Sequence, residues 1–64
     1  MESWKEFLEK NIKVIYDDGG EHPSKKVGLL SGFTETHFIL KLNSHTEAIL
    51  LSKILRVEVI GDGN

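Results

Sequence analysis

Residues 25–60 leave almost no spacer between β-type segments: KKVGLLSGFTETHFILKL runs directly into NSHTEAILLSKILRVEVI. A 64-residue chain that commits this much of itself to strands has to pair or close its sheet edges, because open edges recruit other chains. The expectation is a small closed barrel and, less directly, self-association. Size points the same way. A domain this short buries only roughly 60% of its unfolded surface, and the usual supplements are disulfides, a metal or partner subunits. The chain has no cysteine, which excludes disulfides and thiolate zinc sites. Subunit association is then the leading supplement.

The balance of 39% hydrophobic and 28% charged residues suits one soluble globular domain, 1–64, rather than a disordered tail. No apolar run approaches the ~20 residues that cross a bilayer, so no membrane partner is expected. The first fifteen residues mix Glu and Lys without an apolar stretch, unlike a secretory signal. Cytoplasmic placement is the plain expectation. A formal charge of −2 argues against a general basic coat for nucleic acid. Any such site has to be a local cluster.

Residues 3–10 read as a short α-helix. Ser3 and Glu6 form a capping-box pair, and Trp4, Phe7 and Leu8 make one apolar stripe. Two turns do not persist alone in water, so the stripe must lie on the rest of the protein, with Asn11 ending the helix. Strands follow by alternation at about 12–17, 25–33, 37–42, 46–51 and 54–60. DDGGEHPS at 17–24 is a dense turn cluster. Gly28 inside the second strand predicts strong bending or close backbone approach. Phe38, Leu40 and Leu42 are expected on one face, with His37, Ile39 and Lys41 on the other. Residues 61–64 read as a disordered tail.

A short helix followed by five strands, with a glycine-bearing second strand and a tight turn between strands four and five, resembles the Sm-like family of Sm, LSm and Hfq proteins. VGLLSGFT at 27–34 looks like the first Sm motif, with Thr34 in the place of its aspartate. HFILKL at 37–42 continues it if the intervening loop is one residue longer. LLSKIL at 50–55 is similar to the second motif, without its Arg-Gly or Tyr-Lys-His signature. The resemblance implies an all-β, strongly bent five-stranded SH3-like barrel. It also implies a homo-oligomeric ring, commonly of six or seven copies, in which strand four pairs with strand five of the next subunit. Single-stranded RNA is the implied ligand.

Carried over by position, His37 takes a base-stacking place and Ile39 that of a base-contacting asparagine, while Ser52 and Lys53 line the pore. Lys53 and Arg56, with Lys41, offer a local basic patch. Against these stand plain surface roles: His37 as an outward polar residue, and Arg56 paired with Glu58 or Glu47. Lys25 and Lys26 are either RNA-backbone contacts or a solvated strand start. Asp17, Asp18, Glu21 and His22 lack the spacing of a calcium loop and read as turn residues, so no metal is expected. No nucleophile–base pair is recognisable among the serines. The chain therefore reads as a non-enzyme without cofactor or small-molecule substrate. The rival reading is an SH3-like barrel serving protein–protein or structural assembly without nucleic acid.

Overall fold

The computed structural model describes residues 4–62. Within them, alternating side chains build one antiparallel sheet of five strands: β1 (Lys10–Tyr16), β2 (Ser24–Phe33), β3 (His37–Lys41), β4 (Thr46–Leu50) and β5 (Ile54–Asp62). Their order is β4-β3-β2-β1-β5. The all-β expectation holds. The hydrogen-bonded ladder is open, however, with β4 and β5 as its outer strands.

The sheet curls all the same. Lys26 on β2 lies 3.2 Å from Glu47 on β4. Glu47 pairs with Leu40, and Leu40 with Leu30, so on a flat sheet Lys26 would stand two strands across and four residues along. That offset sets Cα atoms roughly 16 Å apart, beyond the combined reach of the two side chains. Curling is helped at Gly28, where an added Cβ would lie 2.6 Å from Leu42 Cδ2 and 2.9 Å from the Lys41 carbonyl oxygen. The predicted close approach is therefore the reason glycine stands there.

Curling wraps the inward residues into one core. Ile12, Val14, Leu30, Phe38 and Leu40 are fully buried, and Ile49 nearly so. Burying each such side chain contributes about 1.5–3 kcal/mol. Trp4 covers this cluster by meeting the Phe38 ring edge-on, with centroids 4.9 Å apart. The apolar stripe thus docks on the sheet, as its composition required.

The element carrying that stripe differs from expectation. It is a single 3₁₀ turn, Trp4–Phe7, not an α-helix over 3–10; Ser3, the capping residue, lies outside the described residues. Leu8 N–H donates to the Lys5 carbonyl three residues back, and Glu9 N–H donates to Leu30 O at 2.9 Å. Bonding to β2 replaces a second helical turn, and β1 begins by Lys10. The left-handed residue is Glu9, φ 64°, whereas Asn11 pairs within the sheet.

Further differences arise at strand ends. Leu42 leaves β3, half-buried against Gly28, with its N–H bonded to His45 O. Leu51 starts a second 3₁₀ turn, Leu51–Lys53, closed by Ile54 N–H to Leu51 O. Gly61 and Asp62 are not tail: they pair with Asn11 and Lys10 in β5, while 63–64 lie outside the described residues. Finally, β5 is not a plain alternation. Its register against β1 skips Leu55 and Ile60, and such bulges re-aim side chains. Leu55 and Ile60 are left 61% and 52% exposed.

Candidate nucleic-acid interface

Where β1 ends and β2 begins, the curled sheet leaves a cleft of about 350 Å³. His37 and Lys53, predicted from sequence, both line it. Tyr16 and Lys26 form its β1–β2 wall, and Glu47 with Leu50 its β4 wall. Asp17 and Asp18 complete the rim. Lys53 is held there by backbone: its carbonyl accepts the Asp17 N–H at 2.8 Å.

Local chemistry orients His37. Thr34 Oγ1 accepts from Thr36 N–H at 3.2 Å and from His37 N–H at 3.0 Å. Thr34 N–H in turn donates to His37 O at 2.8 Å. The hydroxyl at this position thus organises the β2–β3 turn with a side-chain acceptor, the usual role of Ser, Thr, Asn and Asp in turns. Thr36 Oγ1 lies 2.8 Å from His37 Nδ1, which fixes one edge of the ring.

The remaining predicted residues do not join them. Ile39 is half-buried on β3 beside Ala48 and Gly32, and its carbonyl accepts the Ser31 hydroxyl. Ser52 is exposed on the 3₁₀ turn and does not line the cleft. Arg56 points from the outward side of β5, with Nε 3.0 Å from Glu58 on the same strand. The alternative partner, Glu47, is taken up elsewhere. Its carboxylate meets Lys26 and, at 2.6 Å, His45 Nε2.

That network sets the electrostatics of the cleft. Hydrogen bonds from His45 and then Lys26 hold the Glu47 carboxyl below its ordinary pKa. The same carboxylate, followed by Tyr16, raises the Lys26 ammonium above its ordinary value. Asp18 is lowered by the Ser24 hydroxyl and the Gly20 N–H. Asp17 and Asp18 bind Gly19 N–H and Gly20 N–H, each at 2.9 Å, so both carboxylates act as turn acceptors. Around the cleft stand three carboxylates and two ammonium groups.

Chemically the cleft offers the His37 imidazole and the Tyr16 phenol, an apolar wall, and Lys53, which has no carboxylate salt bridge among the described residues. Sequence reasoning missed Tyr16 and Glu47 as lining residues. Their alternation gave their face, but not the curl that brings β1 and β4 together. No family model matches the chain, and neither a curated protein nor a solved structure matches it.

Proposed function

We propose that the chain is a protomer of an Sm-type homo-oligomeric ring that closes as a five-stranded SH3-like barrel and binds single-stranded RNA without catalysis. The observation that carries it is the pair of outer strands. Among the described residues, β4 and β5 are each hydrogen-bonded to one neighbouring strand only, and they carry exposed Leu50, Leu55, Val59 and Ile60. Unpaired edges flanked by apolar side chains are templates for another chain. Pairing β4 of one copy with the stretch of β5 between its bulges, 56–59, would satisfy both edges. The RNA part rests on His37 and Lys53 sharing one cleft. An aromatic platform contributes about 1–3 kcal/mol per stacked base, and a lysine supplies charge for phosphate.

A second reading has its own support. Three carboxylates around the cleft and a net charge of −2 suit an assembly module that never meets nucleic acid. Native mass spectrometry with and without short oligouridylate or oligoadenylate separates the two. A closed oligomer that takes up RNA, and loses it on His37→Ala or Lys53→Ala, is the expected result. A closed oligomer without uptake leaves the assembly reading, and a persistent monomer removes both.

A further inference from the structure

Inward residues of β1, β2 and β5 build the core, so their alternate residues face outward. Pairing aligns these outward residues in rows: Lys25–Ile15–Arg56, then Val27–Lys13–Glu58, then Lys41–Leu29–Asn11 across to β3. Four of the chain's eight cationic side chains fall on this surface, against one of its ten carboxylates. A net-negative protein thus carries one strongly positive face. Lys25 and Lys41 are exposed there, and so is most of the Arg56 side chain.

Glu58 is the one acid on these rows among the described residues, and it is shared. Its carboxylate lies 3.0 Å from Arg56 and 3.8 Å from Lys13, so it offsets part of two cations and leaves two untouched. Between the cations lie Ile15, Leu29 and the half-exposed Val27, aliphatic side chains on the outer side of the curled sheet. Lys25 and Lys26 are neighbours that point to opposite sides of β2, so this face and the cleft meet where β2 begins.

We propose that this outward face binds the phosphate backbone of single-stranded RNA through Lys13, Lys25, Lys41 and Arg56. The inference rests on the RNA reading above and assigns it a second surface, with a different task from the cleft. Phosphate contact is non-specific and released by salt; stacking in the cleft is not charged. Continuity with the cleft, where His37 offers an aromatic platform for a base, favours a nucleic acid over an acidic protein.

The test is fluorescence anisotropy with a labelled 15-nucleotide oligouridylate and a mixed-sequence single strand, titrated across potassium chloride. Each lost phosphate contact lowers the log–log salt slope by about 0.7 on a single strand. Lys25→Gln with Arg56→Gln should therefore cut the slope by about 1.4 for each protomer the strand contacts and weaken binding at low salt. Glu58→Gln should tighten binding, because it frees Arg56 and Lys13. His37→Ala should weaken binding with the slope unchanged. Circular dichroism checks that each variant keeps its sheet. If the double variant keeps the wild-type slope while His37→Ala weakens binding, the face is not a phosphate track and the cleft reading survives. If the wild type binds no strand, both fail together. If poly-glutamate competes as well as RNA, the face takes acidic protein and the inference is overturned.

Discussion

Phe38 and Glu47 lie on neighbouring strands, yet the regions around them are held in opposite ways. Phe38 sits at zero exposure among Ile12, Val14, Leu30 and Leu40, with Trp4 edge-on above it. Glu47 is half-exposed and tied to His45 and Lys26 by charge and hydrogen bonds alone. Burial removes apolar area from water and involves no charge for salt to screen; an exposed ion pair gains little over hydration and is screened. The contrast teaches where this small domain can spend residues. Stability resides in the apolar cluster, so the polar cleft is free to serve a ligand.

Two substitutions probe the apolar side. Phe38→Ala should cost about 3–5 kcal/mol, comparable with the whole stability of a small domain. Urea titration should show a chain unfolded, or nearly so, without denaturant. A smaller loss belongs to Gly28→Ala. The new methyl meets the Lys41 carbonyl, which is backbone and cannot swing aside as the Leu42 methyl can. Overpacking of this kind costs about 1–3 kcal/mol, read as a lowered midpoint with an unchanged slope. A wild-type midpoint for Gly28→Ala would mean the sheet is not pinned by close approach at this point.

Much of this apolar side was legible in the chain, because alternation in NIKVIY, KVGLL and HFILK states which residues face inward. Gly28 was legible for a related reason: a glycine in an otherwise apolar strand signals crowding. The 3₁₀ turn at Trp4–Phe7 was not. Spacing at i, i+3 and i+4 fits one turn of either helix type, and the choice fell to a long-range bond, Glu9 to Leu30. The bulges at Leu55 and Ile60 are also set by pairing with β1 rather than by their own sequence. In the candidate site, the resemblance offered His37, Ile39, Ser52 and Lys53 together, and of these His37 and Lys53 line the cleft. Tyr16 and Glu47 needed the full curl: Gly28 marks a bend, but not which residues of β1 and β4 that bend brings together.

The smallest expected effect sharpens the comparison from the polar side, through pH. Glu47 is held below its ordinary pKa by His45 and Lys26. A carboxyl depressed in the folded state stabilises fully above its unfolded value, about 4.3, and that stabilisation is lost as pH falls through the lower folded value. Lys26 has the opposite sign. Its raised value means its contribution is complete below about 10.4 and disappears as pH rises through the folded value. Glu47→Gln should therefore lower the melting temperature slightly near neutrality and match the wild type in strong acid. Thermal melts of both proteins from acid to neutral pH read the difference directly. Should Glu47→Gln cost as much at neutrality as Gly28→Ala, the cleft would be a structural girdle between β2 and β4. Glu47 would then be committed to the fold, leaving Lys53 and His37 to meet a ligand.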